Sequence, residues 1–273
     1  MTTVTVLGAG AWGIGLALTA ARAGREVTIW SPFPEEIDGI KKTRENTRVL
    51  PGIHVPKEIK LTSDIVEAAQ GNIILSVTPA QTFRSVLKQL KPHISDESYL
   101  VSCAKGIEMS SNSFLTQVVQ EELPSFTPCV LAGPNFARDV AMNLPAGAVI
   151  AHEQIEQSQW LASSLTHENF KVYPLTDVNG VEISSALKNV LAIGCGLITG
   201  ADLGENARAL YLTFGIQELI EFGQLLSSEL ETFLSPAGLG DIVLTCMSLT
   251  SRNMKYGYDF AKAQASKTPL PKD

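Results

Sequence analysis

A lysine in a strongly apolar helical stretch is the first residue whose setting suggests chemistry. Lys188 lies within residues 181–197, where Glu182 is the only other charged residue. A helix that is apolar on nearly every face is usually buried, so we expect Lys188 inside the protein. Burial lowers the pKa of a lysine, which suits it to proton transfer near neutral pH. An ion-paired structural lysine is an equally good interpretation of this pattern.

Four further polar residues lie where ligands are often bound. Lys105 follows a predicted strand, and open α/β sheets bind ligands just beyond the carboxyl ends of their strands. Arg252 and Asn253 offer a planar guanidinium and an amide, which suit bidentate recognition of a phosphate. Asp241 follows a glycine-rich turn and opens an apolar run, where a carboxylate either contacts a ligand or caps a helix. Taken singly, Lys105 and Arg252 are equally well interpreted as surface residues.

The sequence GAGAWG near the N-terminus is a G-x-G-x-x-G pattern between a predicted strand and a predicted helix. Gly8 permits the tight turn, Gly10 lets the backbone approach a pyrophosphate, and Gly13 allows close packing of helix on strand. The N-terminus of the helix, with Ala11 and Trp12, presents N–H groups to the anion. This context predicts a dinucleotide-binding loop.

The end of the second predicted strand leaves the choice between NAD and NADP open. Dinucleotide-binding folds place a ribose-binding acid there for NAD, or an arginine nearby for the phosphate of NADP. Here the strand ends at Trp30 and Ser31, and Ser31 is expected near the cofactor by its position. Glu35 and Glu36 come slightly later and are interpreted as acids in the first turn of a helix.

The elements that must position these residues change character along the chain. Strands are predicted at residues 3–7, 26–30, 72–77, 99–102, 129–132, 146–151 and 171–173, and helices at 13–23, 35–44 and 79–90. Beyond residue 174 only long helical segments rich in Ala, Leu and Ile follow. The predicted fold is α/β, with an N-terminal Rossmann-like, doubly wound parallel sheet followed by an all-helical C-terminal domain. We expect a dinucleotide-binding domain at residues 1–176 and a substrate domain at 177–273.

Composition narrows the classes of partner. The 273 residues carry a net charge of −7, which disfavours nucleic acid and anionic membranes as partners. An anionic substrate would therefore need a local cluster of Lys and Arg. No run approaches the ~20 uninterrupted apolar residues of a membrane helix, so no membrane insertion is expected. Four widely spaced cysteines without a C-x-x-C pair predict reduced thiols, no metal site and a cytoplasmic protein.

Together these segments resemble NAD(P)-dependent glycerol-3-phosphate dehydrogenase of the bacterial type, and the resemblance spans nearly the whole chain. The matching motifs occur in order: GAGAWG at 8–13, NTRVLPG at 46–52, KGIE at 105–108, GPNFA at 133–137, GVEISSALKNVLAI at 180–193, LGENARA at 203–209, AGLGDIVLTC at 237–246 and SRN at 251–253.

The resemblance implies roles for residues of the helical domain. Lys188 corresponds to the proton donor and acceptor at the C2 oxygen, and Asp241 to the carboxylate that orients it. Asn189 and Thr245 lie nearby in the family's site. The implied phosphate clamp consists of Arg252 and Asn253, assisted by Ser251, with Arg252 also contacting the cofactor.

In the N-terminal domain the resemblance implies that Lys105 polarises the substrate carbonyl and also touches the cofactor. Gly133, Asn135 and Ala137 fall in the loop that contacts substrate and cofactor. The implied reaction is reversible hydride transfer between NAD(P)H and dihydroxyacetone phosphate, a small phosphorylated three-carbon substrate. The product, sn-glycerol 3-phosphate, feeds glycerophospholipid synthesis, and a homodimer is a family expectation.

The chain departs from the family pattern at single positions. Ala11 replaces a frequent Ser, Asn135 a Ser or Thr, Val49 an aromatic residue and Phe214 an Arg, although Arg208 remains. Family members usually continue with further helices and a Val-Glu-Gly segment that touches the cofactor, which this sequence does not contain.

Three alternative functions share the predicted fold. A β-hydroxyacid or hydroxyacyl-CoA dehydrogenase often carries a His–Glu pair in its helical domain, but none of the four histidines lies beyond residue 176. A sugar-nucleotide dehydrogenase would need a nucleophilic cysteine, whereas Cys195 on the apolar helix is better interpreted as core packing. The third alternative is a dinucleotide-binding protein with reduced or lost turnover.

Overall fold

The computed structural model describes residues 2–268 and divides into two compact units after Val178. The first unit contains, in chain order, β1 (Thr3–Leu7), α1 (Ala11–Arg22), β2 (Glu26–Trp30), α2 (Pro34–Thr43), β3 (Lys60–Thr62), α3 (Ile65–Ala68), β4 (Ile73–Ser76), α4 (Ala80–Leu90), β5 (Tyr99–Ser102), β6 (Ile107–Glu108), β7 (Ser113–Phe114), α5 (Leu115–Glu122), β8 (Cys129–Ala132), α6 (Ala137–Ala141), β9 (Ala146–His152), α7 (Ile155–Leu165) and β10 (Phe170–Leu175). From residue 178 the described chain is helical: α8 (Val178–Gly200), α9 (Glu205–Leu225), α10 (Leu230–Phe233), a π-helical turn (Pro236–Gly240), α11 (Asp241–Cys246) and α12 (Arg252–Ser266).

An eight-stranded sheet forms the centre of the first unit, in the order β10-β9-β8-β5-β4-β1-β2-β3. Apolar residues of β1 alternate between its two faces. Val4 and Val6 join one core with α1, α2 and α7, whereas Leu7 joins another with α4 and α5. Helices therefore cover both faces, which confirms the predicted doubly wound fold and the all-helical segment after it.

The sheet is parallel except for one pairing near its edge. β8 and β9 pair antiparallel, with Leu131 opposite Ile150, and β10 then runs parallel to β9. A parallel return requires a crossover that travels back along the strand. The connection here holds only the 5-residue α6, which is about 7.5 Å long. The chain instead turns after β8 and enters β9 in the opposite direction.

The longest helix of the second unit contains the apolar stretch that the sequence predicts to be buried. α8 has 23 residues and a mean hydropathy of 1.5 over its most apolar window, so by length and composition it could cross a membrane. Glu182 and Lys188 lie within it, so it is not an uninterrupted apolar run of ~20 residues. Within the protein 61% of that window is buried, including both charged residues. α8 is therefore a core helix.

α8 and α12 approach each other closely through glycines. A Cβ added to Gly196 would lie 2.0 Å from the Met254 carbonyl oxygen, and one on Gly257 would lie 2.1 Å from the Ile193 oxygen. Both distances are far below van der Waals contact, so only glycine permits this packing. The contact fixes the start of α12 beside the middle of α8.

The packing around Gly13, in the glycine loop at residues 8–13, and around Gly39 predicts opposite effects of alanine substitution on stability. A Cβ on Gly13 would lie 1.9 Å from the Gly8 carbonyl oxygen, whereas one on the exposed Gly39 of α2 would meet no atom within 4 Å. Gly13→Ala should therefore lower the free energy of unfolding by about 1–3 kcal/mol through overpacking. Gly39→Ala should raise it by about 0.5–1 kcal/mol, since alanine favours helix. Urea denaturation at pH 7 measures both, and equal shifts of one sign would contradict the packing described.

Candidate active site

The glycine loop leaves the N-terminus of α1 open to an anion. Gly8 has φ +127, and a Cβ there would lie 3.2 Å from the Val77 carbonyl oxygen, so the turn requires glycine. Gly10 is exposed and caps α1 without a side-chain hydrogen bond, and the first turn, with the partly buried Ala11 and Trp12, contains no acid. The N–H groups of this turn are thus suited to a pyrophosphate, and the residues present fit a dinucleotide.

Lys105 lies beyond the carboxyl end of β5, partly buried, and is followed by Gly106 at φ +121. In the sheet, β8, β5, β4, β1 and β2 are consecutive neighbours and parallel. The loops that follow them therefore emerge along one edge. The structure thus brings Lys105, the glycine loop and the loop after β8 to the same edge of the sheet, as predicted for a ligand site.

The loop after β8 is pressed against its neighbours. A Cβ on Gly133 would lie 2.8 Å from Ala148 Cα. Asn135 Nδ2 donates to the Gly147 carbonyl at 3.1 Å, while its Oδ1 is buried with no partner among the described residues. The Ala137 carbonyl oxygen would lie 3.3 Å from a Cβ on Gly15 of α1. Backbone contacts therefore hold this loop in place next to the dinucleotide helix.

An ion-pair cluster secures the segment that follows Lys105. The guanidinium of Arg84, on α4, donates to both carboxylate oxygens of Glu108, at 2.7 to 3.0 Å. It also pairs with Glu121 at 2.7 Å and Glu122 at 2.8 Å. These contacts lower the pKa of Glu108 to about 2, mainly through the hydrogen bonds from Arg84 and then through the one from Ser111.

Gln81, also on α4, adds two hydrogen bonds to the same segment. Its amide donates to the Ile107 carbonyl at 2.8 Å and accepts from the Met109 N–H at 3.0 Å. The backbone two to four residues beyond Lys105 is therefore anchored to α4 at several points. Sequence analysis assigned no role to Arg84 or Glu108, although Glu108 belongs to the KGIE motif.

The end of β2 carries a second network that sequence analysis did not find. Ser31 is buried, and its hydroxyl donates to Glu36 Oε2 at 2.6 Å. Asn46 Nδ2 donates both to Glu36 Oε1 at 3.1 Å and to the Ala9 carbonyl at 3.0 Å. Arg48 pairs with Glu36 Oε1 at 2.9 Å. Glu36 is thus linked to the glycine loop through one side chain.

In the second unit, Lys188 is buried as predicted, with 3% of its surface exposed. Its ammonium forms an ion pair with Asp241, which is 1% exposed and opens α11. The same ammonium donates to Thr245 Oγ1 at 3.1 Å, and Thr245 lies 3.3 Å from Asp241 Oδ1. Two buried charges therefore compensate each other, as both an ion-paired structural lysine and a catalytic lysine require.

The residue after Lys188 connects α8 to the predicted phosphate clamp. Asn253 Nδ2 donates to Asn189 Oδ1 at 2.8 Å. Ser251 caps α12 by accepting from the Met254 N–H at 3.4 Å, and Arg252, the first residue of that helix, is exposed. The structure thus groups Lys188, Asn189, Asp241 and the start of α12 within one unit. Their convergence with Lys105 of the first unit stays a prediction.

Among the described residues, no group of three or more His, Cys, Asp and Glu side chains is placed to hold a metal ion. The four cysteines are all free and buried, Cys195 completely so. A buried thiol cannot attack a sugar-nucleotide substrate, which leaves core packing as the role of Cys195.

Comparison with known proteins gives the family. The profile of the NAD-dependent glycerol-3-phosphate dehydrogenase N-terminus matches residues 3–158, and that of the C-terminus matches residues 177–270. The chain belongs to the NAD-dependent glycerol-3-phosphate dehydrogenase family. The resemblance inferred from the motifs is thereby confirmed.

Relatives in this family match over nearly the whole chain. A glycerol-3-phosphate dehydrogenase [NAD(P)+] of Rhodopseudomonas palustris (strain BisB5) is 42% identical over 262 residues, covering 96% of this chain and 79% of the relative. One from Bradyrhizobium sp. (strain ORS 278) is 42% identical over 269 residues, covering 98% of this chain and 81% of the relative. The chain thus spans about four-fifths of the length of these dehydrogenases.

Solved structures of glycerol-3-phosphate dehydrogenases superpose on nearly the whole chain. Glycerol-3-phosphate dehydrogenase from Coxiella burnetii superposes with a TM-score of 0.90 at 34% identity, covering 98% of this chain and 85% of that one. The glycerol-3-phosphate dehydrogenase of Saccharomyces cerevisiae superposes with a TM-score of 0.86 at 28% identity, covering 96% of this chain and 82% of that one. A ketopantoate reductase from Ralstonia eutropha, at 14% identity and a TM-score of 0.58 over 98% of this chain and 87% of its own, shares the fold alone.

The Arg84–Glu108 contact predicts a pH-dependent effect on stability. The pKa of Glu108 is about 2 in the folded protein, against an ordinary 4.5, so its stabilising contribution is complete above pH 4.5 and is lost as the pH falls towards 2. Glu108→Gln should therefore destabilise the protein at pH 7, and the difference from the unsubstituted protein should shrink below pH 4.5. Urea midpoints between pH 7 and pH 3 measure this.

Glu121→Gln is the matched control, because Glu121 also contacts Arg84 but its side chain is 51% exposed. Its effect at pH 7 should be smaller than that of Glu108→Gln. A difference that does not change with pH, or equal effects of the two substitutions, would contradict the assigned role of Glu108.

Proposed function

We propose that the chain interconverts dihydroxyacetone phosphate and sn-glycerol 3-phosphate by hydride transfer with NAD(P)H. The observation that carries this proposal is the buried Lys188–Asp241 pair with Thr245, in a chain whose first unit has an open dinucleotide loop. The substrate is taken from the activity in the names of the relatives. A small ketone phosphate also fits the polar groups that the structure describes.

The nicotinamide, when bound, supplies or accepts the hydride at C2. Lys188 donates a proton to the C2 oxygen during reduction and takes it back during oxidation. Asp241 stabilises the ammonium form and fixes its position, since a carboxylate in contact favours the charged lysine. Thr245 accepts one of the remaining N–H groups of the ammonium, which restricts the direction of the others.

Lys105 is proposed to polarise the substrate carbonyl and to contact the cofactor, together with Gly133, Asn135 and Ala137 of the loop after β8. The unpartnered Oδ1 of Asn135 supports a ligand contact there, because a buried acceptor normally has a donor. Gly8, Gly10, Ala11, Trp12 and Gly13 are the proposed pyrophosphate contacts.

The phosphate of the substrate is assigned to the start of α12. Arg252 offers a planar fork of donors, Asn253 an amide, and a helix of 15 residues adds the partial positive charge of its N-terminus. Ser251 contributes by capping this helix. Asn189 holds the Asn253 amide, so the clamp is fixed relative to Lys188.

We accordingly assign residues 1–176 to dinucleotide binding and residues 177–273 to substrate binding and catalysis. We further infer a cytoplasmic enzyme whose product supplies the backbone of glycerophospholipids. Four free, buried thiols support a reducing compartment.

A homodimer is proposed from the surface of α9. Leu210, Phe214 and Leu225 are 57%, 56% and 83% exposed, and the buried positions of this 21-residue helix are only Gly215, Leu219 and Gly223. Clustered exposed apolar side chains usually mark an interaction surface. A second copy of the chain is the occupant expected from the family.

The catalytic proposal predicts separate effects on turnover and cofactor affinity. Lys188→Ala should lower kcat for dihydroxyacetone phosphate reduction by at least about 10²-fold, the usual contribution of a general acid, with cofactor affinity nearly unchanged. Lys171→Ala, at an exposed lysine on β10, is the control and should change neither. Both are measured by oxidation of NADH and NADPH and by fluorescence titration of each cofactor.

Loss of cofactor affinity together with turnover in Lys188→Ala would contradict a purely catalytic role for Lys188. Tight cofactor binding by the unsubstituted protein without reduction of any ketone phosphate would instead favour the alternative of a dinucleotide-binding protein without turnover.

The dimer proposal predicts that Phe214→Glu yields a monomer in analytical ultracentrifugation, because a buried carboxylate in an apolar interface is costly. Leu144→Glu, at a residue that is 46% exposed in the first unit, is the control and should leave the dimer intact. A monomeric unsubstituted protein at micromolar concentration would contradict the proposal.

A further inference from the structure

We propose that Glu36 accepts the 2′-hydroxyl of the adenosine ribose and makes this chain select NAD(H) over NADP(H). This inference rests on the proposed function, because it requires a dinucleotide on the glycine loop. The sequence left the preference open, since neither an acid nor an arginine stands at the end of β2.

The position of Glu36 is decided by its contacts rather than by its place in the sequence. It lies in the first turn of α2, five residues beyond Ser31, but its carboxylate is held at the end of β2 by the 2.6 Å hydrogen bond from the Ser31 hydroxyl. The acid that binds a ribose 2′-hydroxyl is expected about 20 residues beyond the glycine motif, at the end of this strand. Glu36 thus reaches back to the place where the sequence shows only a serine.

The carboxylate is also fixed with respect to the dinucleotide loop. Asn46 Nδ2 bridges Glu36 Oε1 and the carbonyl of Ala9, which lies between the two glycines that face the pyrophosphate. The shared Asn46 supports placing the adenosine ribose beside Glu36. The Glu36 side chain is only 15% exposed, so it is held in one position.

Glu36 has an acceptor site left for a ligand. Its Oε1 accepts from Asn46 and Arg48, whereas the described hydrogen bonds give Oε2 only the Ser31 hydroxyl. A carboxylate offers about four acceptor sites, two on each oxygen. A hydroxyl can use the remaining site on Oε2, but the 2′-phosphate of NADP has only acceptor oxygens and charge to offer.

The charges around Glu36 also favour NAD(H) over NADP(H). A cavity of about 500 Å³ lies beside it, and among the described lining residues Glu35, Glu36, Glu45 and Arg48 are charged. Three carboxylates and one guanidinium give a net negative lining, which repels a phosphate. The one cation among them, Arg48, is 77% exposed and pairs with Glu36.

The decisive measurement is the ratio of the two dissociation constants, for NADH and NADPH, by isothermal titration calorimetry without substrate. The unsubstituted protein should bind NADH at least about tenfold more tightly, as expected of a hydrogen bond to a charged group. Glu36→Gln should reduce this ratio by about tenfold, because the amide loses the charge and an acceptor. Since both constants are measured on one sample, a partly unfolded fraction does not alter their ratio.

Glu35→Gln is the matched control, with the same loss of charge one residue earlier at an exposed position of the same cavity. It should leave the ratio nearly unchanged. Equal effects of the two substitutions would overturn the assignment to Glu36, because the preference would then come from the overall negative charge of the cavity. Equal or tighter binding of NADPH by the unsubstituted protein would overturn the inference alone, whereas failure to bind either dinucleotide would overturn the proposed function with it.

Discussion

Two opposite charges are held away from water in the helical unit, and most of its packing follows from that. Burial of an isolated ammonium or carboxylate costs several kcal/mol, so Lys188 and Asp241 each lower the cost of burying the other. Their contact requires that α8 and α11 keep a fixed separation. The hydrogen bonds with Thr245 satisfy part of the remaining polar capacity. Glycines let α12 lie directly on α8, which brings Asn253 to Asn189.

In the first unit, the loops at the carboxyl edge of the sheet are positioned mainly by the backbone. Parallel strands whose carboxyl ends share one edge present their loops together, and glycines in those loops allow approach distances that a Cβ would forbid. Side chains then fix the loops that glycine leaves adaptable. Arg84 holds the segment after Lys105, and Asn46 holds the glycine loop at Ala9. Both devices act on backbone that lies next to the expected ligands.

Local pattern was sufficient to predict the strands β1, β2, β5 and β8 at their observed residues, because short buried β-branched runs bounded by turns identify them. The same pattern could not reveal β3, with three residues, or the antiparallel direction of β9, because periodicity within a strand does not record the direction of its neighbour. It interpreted Glu36 as a helix acid, because the hydroxyl and amide that redirect it come from residues five and ten positions away. The pairing of Arg84 with Glu108 spans 24 residues and leaves no periodic signal.

An acidic protein that binds two anions needs positive charge where they bind, but the charges of the site are divided by task. Lys188 is paired with Asp241, so together they add no net charge, which suits the proposed proton transfer better than attraction of the phosphate. In the proposed mechanism the attraction of the phosphate is assigned to Arg252, which is exposed, and to the N-terminus of α12. At the adenosine end the carboxylates are instead useful, because they admit a hydroxyl and repel a phosphate. A net charge of −7 is thus compatible with the proposed sites: Arg252 would attract the phosphate of the substrate, whereas the carboxylates around Glu36 would repel the 2′-phosphate of NADP.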